Sequence, residues 1–151
     1  MDSYAIMKIF LAFGVPADIT DGRIRTCLHS AKTAEMVEVL CEHGATRHLV
    51  DEDGYTPLHV YVSTEKAACV SAILKHDDVR MNALLPLNRW SALHIAASMG
   101  NTEITQLLLT QSRSAVDLSR QVHYSGRVMM YVVCMHIVSS TCFLFLEERL
   151  M

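Results

Sequence analysis

The sequence predicts an all-α fold in which short helical hairpins stack into a solenoid. A motif of the form [Thr/Ser]-x-Leu-His occurs three times, as TCLH, TPLH and SALH, beginning at Thr26, Thr56 and Ser91. Successive copies lie 30 and 35 residues apart, which is a period typical of repeat proteins. Apolar residues with helical spacing follow each copy, and such a unit buries its apolar face only by stacking on its neighbours.

The composition limits the classes of protein to consider. The 151 residues are enough for about one domain with a core of its own. The net charge of −3 comes from 13 basic and 16 acidic residues without a block of either sign, so we expect no nucleic-acid partner. Five cysteines, an odd number, and the lack of a signal-like N-terminal stretch argue against a secreted disulfide framework and favour a reducing, cytosolic setting.

The middle unit shows how each helical hairpin begins and ends. Thr56 is a good N-cap, and Pro57 at the first helical position gives up an N–H that has no helical partner, so a helix is predicted to begin there. The polar residues 63–66 end this short helix. A second helix is predicted over residues 67–75, because its apolar residues follow i, i+3, i+4 spacing. These apolar residues are Val70, Ile73 and Leu74.

Glycines mark the turns between helices. Gly44 follows the apolar helix of the first unit, where the left-handed conformation of a C-cap is easiest for glycine. Asp53 and Gly54 then form a turn signal ahead of the next unit. The predicted order is therefore helix, turn, helix and tight turn, repeated about every 33 residues.

These features resemble the ankyrin repeat. The resemblance rests on DGYTPLH at 53–59 and EVLCEHGA at 38–45, and it covers residues 4 to about 120. It implies that the Thr and His of the motif hydrogen-bond within and between repeats, and that the Leu is core. The residues to which it assigns structural roles are Thr26, Leu28, His29, Gly44, Gly54, Thr56, Pro57, Leu58, His59, Ser91, Leu93 and His94.

The units depart from the family pattern in three places. The first unit is short by three residues, the middle unit lacks a glycine between its helices, and Asn88-Arg89 stands where Asp-Gly is expected. About three full repeats and an N-terminal half-repeat are nevertheless predicted. The expected segments are a half-repeat at 1–22, repeats at 23–52, 53–87 and 88–120, a linker at 121–127 and a hydrophobic, helical C-terminal segment at 128–151.

Both ends of the predicted stack are unusual. The half-repeat begins at what should be a second helix, so its apolar residues are expected to lack a first-helix partner. At the other end, residues 116–127 resemble the approach to another TPLH motif, but an apolar stretch follows instead. The residues expected to lack a partner are Ile6, Ile9, Phe10 and Phe13.

The apolar stretch Val128 to Leu146 has 19 residues without a formal charge. As a helix it would be about 28 Å long, against about 30 Å for the hydrocarbon core of a bilayer. Arginines precede it, so a tail anchor with the repeats facing the cytosol is one interpretation. Polar residues at its middle, His136, Ser139, Ser140 and Thr141, argue against that interpretation. The alternatives are a pair of buried helices that replace a fourth repeat, or a tail without evolved function.

No arrangement of residues predicts catalysis, a cofactor or a metal site. The motif histidines are placed by the repeat, and a structural role is the simpler interpretation. The pairs Cys27/His29, Cys41/His43 and Cys134/His136 have metal-ligand side chains, but they lack the spacing of zinc sites and occupy different repeat positions. The acidic residues 51–53 lack the further ligands of a calcium loop, so a solvated turn is expected. We therefore expect no enzyme activity.

A function in binding is predicted from the surface of the stack. Tyr55 and Trp90 occupy the same repeat position, one residue before Thr56 and Ser91, at successive turn tips. Aromatic and arginine side chains are typical anchors of protein interfaces. The alternative is that both rings only pack over neighbouring turns. Further candidate contacts are Arg23, Arg25 and Arg89 at the tips and Val60, Tyr61, Ile95, Ser98 and Met99 along the groove.

These observations lead to one main hypothesis and two alternatives. The main hypothesis is a non-catalytic, monomeric protein-binding module that acts as an adaptor or regulator in the cytoplasm, or in the nucleus, on a partner of unknown identity. The second is an ankyrin protein tethered to a membrane through Val128 to Leu146. The third is a regulatory fragment of a longer enzyme or channel.

Overall fold

Residues 3–110 are described by a computed structural model. Within this range the chain is all α-helical, and the predicted solenoid of helical hairpins is confirmed. The predicted C-terminal segment and linker lie outside the described residues, and the repeat boundaries stay predictions. The helices are α1 Ser3–Ala12, α2 Cys27–Ser30, α3 Ala34–Glu42, α4 Pro57–Ser63, α5 Ala67–Leu74, α6 Ala92–Ser98 and α7 Thr102–Thr110.

The helices after α1 stack in two layers. The first helices of the hairpins, α2, α4 and α6, pack on one another in sequence order, and the second helices, α3, α5 and α7, do the same. Within each hairpin the first helix also packs on the second. Each unit therefore buries its apolar face against the unit before it and the unit after it.

The middle hairpin follows the predicted pattern of caps and turns. Thr56 caps α4, since its hydroxyl accepts a hydrogen bond from the His59 N–H at 3.4 Å, and Pro57 is the first residue of the helix. Glu65 adopts a left-handed conformation with φ of 55° between α4 and α5, where Gly100 has a φ of 67° in the next hairpin. The glycine that the middle unit lacks is thus replaced by a residue held in a less favourable backbone conformation.

The three residues missing from the first unit shorten its first helix. Helix α2 has 4 residues, whereas α4 and α6 each have 7. Two side chains of the next unit bind the carbonyl groups at the end of α2. The Tyr61 hydroxyl donates to the Leu28 carbonyl, and Lys66 Nζ donates to the Ala31 carbonyl at 3.0 Å. These bonds satisfy acceptors that a short helix leaves without helical donors.

A single apolar core runs through the stack from the first unit onward. Each hairpin contributes residues from both of its helices, and Ala17, Ala45 and Leu85 contribute from the connections. Fully buried side chains include those of Leu28, Leu40, Leu58, Tyr61, Ile73, Ile104 and Leu108.

Helix α1 is the exception, because it has no buried residue. Met7 and Leu11 are partly buried and pack against the core. As expected from the sequence, the other apolar side chains of this region are open to solvent. No helix within residues 3–110 is long and apolar enough to span a bilayer, and Val128 to Leu146 lies outside that range. The exposed fractions are 37% for Ile6, 55% for Ile9, 56% for Phe10 and 84% for Phe13.

Candidate functional site

The candidate binding surface consists of three turn tips, which we call the tip ridge: residues 21–25, 51–55 and 85–90. They precede α2, α4 and α6. The residue two positions before each motif Thr or Ser has a positive φ, with values of 59° at Ile24, 82° at Gly54 and 59° at Arg89. Only the middle tip uses glycine for this conformation, which side chains with a Cβ adopt at a cost.

Side-chain oxygens hold the tips in shape. Asp21 Oδ1 accepts hydrogen bonds from the N–H groups of Arg23 and Arg25 at 2.8 and 3.0 Å. Asp51 Oδ1 accepts in the same way from Asp53 and Tyr55, at 3.1 and 2.8 Å. These bonds form compact local turns that do not depend on a partner.

The third tip is held in shape by similar hydrogen bonds from different residues. Asn88 Oδ1 accepts from the Trp90 N–H at 3.0 Å, and the Leu85 N–H donates to the Trp90 carbonyl at 2.8 Å. Pro86 touches the preceding tip, because a Cβ built on Gly54 would lie 2.5 Å from its ring carbons. Gly54 is therefore required both for its positive φ and for the space beside it.

The motif histidines connect each hairpin to the tip that follows. His29 Nε2 lies 3.0 Å from the Tyr55 carbonyl oxygen, and the Thr26 N–H donates to His29 Nδ1 at 3.1 Å. A carbonyl only accepts, so Nε2 carries the proton and Nδ1 is the acceptor. His59 repeats the arrangement, with Nε2 at 3.1 Å from the Ala83 carbonyl and Nδ1 at 3.3 Å from the Thr56 nitrogen.

The third motif begins the same way. Ser91 donates its N–H to His94 Nδ1 at 3.2 Å, and its hydroxyl lies 2.9 Å from the same atom. Leu28, Leu58 and Leu93 are buried in the core, while Gly44 follows α3 with a φ of 82°. The motif residues thus build the scaffold beneath the tip ridge.

The environment of the histidines favours a structural role over proton transfer. Burial lowers the pKa of His29 and His59 below the ordinary value, although the carbonyl partner of each ring acts in the opposite direction. Both rings are therefore neutral near pH 7. Because both nitrogens of each ring already hold hydrogen bonds within the protein, these rings are engaged in holding the backbone.

The two aromatic candidates are half-buried. Tyr55 and Trp90 pack against the core with part of each ring, and the Tyr55 ring also meets His59 edge-on, with 6.1 Å between ring centroids. The rest of each side chain is open at the tip. Both side chains therefore pack over the neighbouring turns and leave part of their surface exposed.

The arginine candidates lie on the first and third tips. Arg23 pairs with Glu52 of the middle tip at 3.4 Å, and Arg25 pairs with Asp21 at 3.3 Å. Arg89 is exposed on the third tip. Exposed ion pairs contribute little to stability, so the arginines can exchange these carboxylates for those of a partner.

Tyr61 does not line the groove, and this prediction is wrong. Its side chain is fully buried, and its hydroxyl is bound to the Leu28 carbonyl at the end of the shortened α2. Burial raises the pKa of Tyr61, so the hydroxyl stays protonated and donates. Ile95 is also buried, whereas Val60 is partly exposed and Met99, just after α6, is exposed.

Sequence reasoning missed three exposed apolar side chains near the tips. Leu87 is 97% exposed on the third tip, and Ile24 and Val50 are about half exposed. Alignment of the repeats contains a signal for Leu87, because Gly22 and Glu52 occupy its position in the other tips. Leu87 is therefore a further candidate contact residue on the third tip.

The cysteines and histidines form no metal-ligating group in the described part of the chain. No three His, Cys, Asp or Glu side chains converge there. Cys27 is partly exposed and Cys41 is buried, and both are free thiols. The pair Cys134/His136 lies outside the described residues.

Comparison with known proteins identifies relatives built from the same unit. A family model described as "Ankyrin repeats (3 copies)" matches residues 2–83 and 32–121. The Nuclear factor NF-kappa-B p105 subunit of Gallus gallus is 29% identical over 114 residues, which is 72% of this chain and 11% of that protein. Rabankyrin-5 of Homo sapiens is 27% identical over 113 residues, 72% of this chain and 9% of that protein.

A putative ankyrin repeat protein of fowlpox virus is 32% identical over 102 residues, which is 65% of this chain and 23% of that protein. The similarity to the chicken and human relatives thus spans about a tenth of their length. What is shared is the stack of helical hairpins.

Proposed function

The chain belongs to the ankyrin-repeat family, and from this we propose that it is a non-catalytic protein-binding module that acts as an adaptor or regulator. Ankyrin repeats are generally protein-interaction modules. The observation that carries the proposal is the tip ridge, which presents apolar and charged side chains on closed, hydrogen-bonded turns. The partner is another protein, and the proposed place of action is the cytoplasm.

The tip ridge is preorganised for binding. The Asp51 N–H donates to the Tyr55 carbonyl at 3.0 Å, which closes the middle tip in the way that the Leu85 bond closes the third. Adjacent tips are joined as well, since the Glu52 N–H donates to the Arg23 carbonyl at 3.1 Å. A surface that is already ordered loses less conformational entropy when a partner binds.

The side chains on the tip ridge suit a protein interface. Leu87 and Trp90 provide apolar area on the third tip, and Ile24 provides it on the first. The arginines at the outer tips flank the carboxylates of the middle tip, residues 51–53. Aromatic and arginine side chains beside an exposed apolar residue are the composition found at binding hot spots.

Beside the tips, Val60 is partly exposed and Met99 is exposed. Ser63 and Ser98 donate their hydroxyl hydrogens to the carbonyls of Val60 and Ile95 in their own helices, at 3.0 and 2.8 Å. Their hydroxyl protons are thereby occupied. We propose that Val60 and Met99 add apolar contacts, while the tips supply the charged contacts.

A quantitative binding measurement with matched variants tests the proposal. A partner identified by proximity labelling in cells would be purified and titrated against the full chain by calorimetry. We expect Trp90→Ala and Leu87→Ala each to weaken binding about tenfold or more, as hot-spot truncations do. Phe13→Ala is the matched control, because it removes similar exposed apolar area outside the tip ridge.

The outcome that contradicts the proposal is equally clear. If binding is unchanged in both tip variants, or is weakened equally by Phe13→Ala, the tip ridge is not the binding surface. Circular dichroism of each variant checks that the helical stack is retained.

Val128 to Leu146 supports a second candidate, in which the repeats recruit partners to a membrane. Its 19 uncharged residues are about long enough to span a bilayer as a helix. Carbonate extraction and protease protection of the full chain test this candidate. Retention in the membrane pellet, with repeats digested from the cytosolic side, supports it, and release by carbonate contradicts it.

A further inference from the structure

Helix α1 has a second apolar side that is open to solvent in the described part of the chain. Ile6, Ile9, Phe10 and Phe13 follow the spacing i, i+3, i+4, i+7, so they form one continuous row, which we call the α1 stripe. Met7 and Leu11 pack against the core from the other side of the helix. The same spacing is used by helices that bind through one apolar face.

We propose that the α1 stripe is the surface through which two copies of this chain associate, with their α1 helices antiparallel about a two-fold axis. This interface lies at the opposite end of the stack from the third tip, and it is independent of the tip ridge. It replaces the monomer expected from the sequence.

The order of residues in the α1 stripe fits an antiparallel pair. A two-fold axis that crosses the pair midway between residues 9 and 10 places Ile6 opposite Phe13 of the second copy, while Ile9 lies beside Ile9 and Phe10 beside Phe10 of the second copy. The central contacts then pair a smaller side chain with a larger one, which allows the two faces to interdigitate. A parallel pair would place Phe13 against Phe13 at its centre.

Charge and length also favour a second copy of α1. Lys8 is the only charged residue of the helix, and it projects away from the α1 stripe, over the Tyr4 ring at 4.8 Å from the centroid. The α1 stripe spans about 10 Å along the helix, and a second α1 matches it in length. The apolar segment Val128 to Leu146 would be about 28 Å long as a helix, so more than half of it would extend past the α1 stripe.

The exposed area of the α1 stripe is small for a protein interface. With about 200 Å² for a fully exposed side chain of this size, the α1 stripe offers on the order of 450 Å² per copy. Two copies then bury about 900 Å², whereas stable interfaces bury roughly 1,200 to 2,000 Å². An interface of this size lies below the standard range, so we expect a weak and reversible dimer.

Sedimentation equilibrium of the full chain across micromolar concentrations tests the proposal. We expect a monomer–dimer equilibrium that Phe10→Glu and Phe13→Glu each weaken at least tenfold. Leu87→Glu is the matched control, because it places the same charge at an exposed apolar residue on the tip ridge. It should leave the dimer unchanged.

A mixing experiment tests the antiparallel arrangement. The Ile6→Lys and Phe13→Glu variants should each fail to dimerise alone, and their equimolar mixture should form a heterodimer, because the new lysine and glutamate face each other across the antiparallel pair. A parallel pair would hold these two charges about 10 Å apart along the helices, so absence of a heterodimer overturns the arrangement.

Other results overturn the proposal as a whole. A wild-type chain that stays monomeric leaves the α1 stripe without a second copy. Association that persists in both Phe10→Glu and Phe13→Glu must use another surface, such as Val128 to Leu146. Because Phe13 lies outside α1 and is almost fully exposed, its variant should fold even if the Phe10 variant does not.

Discussion

Helices α1 and α5 are both rich in apolar residues, yet their burial is opposite. In α5, five of eight residues are buried, whereas in α1 none of ten is buried. Helix α5 packs against α3 on one side, α7 on the other and α4 within its own hairpin. In this stack, burial is therefore supplied by the neighbouring helices and does not follow from the apolar content of the helix.

Polar contacts between units are present at the N-terminal end of the stack as well as at its centre, although apolar burial differs. Thr46 donates its N–H and its hydroxyl hydrogen to Asp18 at 2.8 and 2.5 Å, which ties the first connection to the second. Further along, Arg47 pairs with Asp78 at 2.7 Å. The N-terminal end of the stack thus keeps a hydrogen-bonded link to the next unit, although no residue of α1 is buried.

The largest expected effect is at the centre of the stack. Tyr61→Ala should lower the free energy of unfolding by about 3 to 5 kcal/mol, because it opens a cavity and removes the shorter of the two hydrogen bonds to the Leu28 carbonyl. Phe13→Ala, at the exposed end, should change it by less than about 0.5 kcal/mol. Urea denaturation measures both.

Equal losses in the two variants, measured below the concentration at which the chain dimerises, would mean that α1 is covered within the monomer and would remove the contrast. Tyr61→Phe separates the two causes, because it keeps the ring and removes only the hydroxyl. Its expected cost is about 1 to 3 kcal/mol.

Glycine substitutions should show a smaller difference in the free energy of unfolding between the centre of the stack and its N-terminal end. Gly54→Ala combines an unfavourable positive φ with a clash against Pro86, so we expect a loss of about 2 to 4 kcal/mol. Gly14→Ala shares the positive φ, but a Cβ there would meet nothing within 4 Å, and about 1 to 2 kcal/mol is expected. A loss at Gly54 no greater than that at Gly14 in urea denaturation would show that the tip yields to the added methyl group.

Lowering the pH below about 7 should reduce the free energy of unfolding, because His29 and His59 are buried within the stack. Burial lowers the pKa of His29 and His59, while an unfolded histidine has a pKa of about 6.5. Below that pH the unfolded chain binds more protons than the folded chain, so stability falls as the pH drops from about 7 toward 5. Above pH 7 both states are neutral, and these histidines contribute no pH dependence.

The urea concentration at the midpoint of unfolding is measured between pH 5 and pH 8 for the wild-type chain and for His59→Asn. One histidine contributes at most about 1.4 kcal/mol per pH unit, and its removal should flatten the slope by less than that. Asp21 and Glu35, whose pKa values are lowered by backbone hydrogen bonds, act only at more acidic pH. An unchanged slope would exclude His59 as a source of the effect.

Local sequence signals predicted the helices well where one residue decides the conformation. Thr56 and Pro57 predicted the start of α4, and the second helix expected at 67–75 is observed as Ala67–Leu74. The glycine replacements were harder to predict, because Ile24 and Arg89 hold positive φ values that only the closed tips explain. The tips override the backbone preference of these two residues.

The site was predicted only in part. The position of Tyr55 and Trp90 at successive tips follows from the repeat alignment, since one period carries both residues to the same place. Their half-burial and the exposure of Leu87 depend on the neighbouring tips, which no local pattern describes.

The motif and its period were sufficient to determine the family, the helical hairpins and the buried leucines, because capping and apolar spacing act within a few residues. Tertiary packing decided whether Tyr61 and the α1 stripe are buried or exposed. Tyr61 is buried at a repeat position where Ala31 and Ala96 are buried as well, and its hydroxyl binds the end of the short α2. Phe13 is exposed because no described element covers it. Burial is a property of the space between elements, and that space is created only when the units stack.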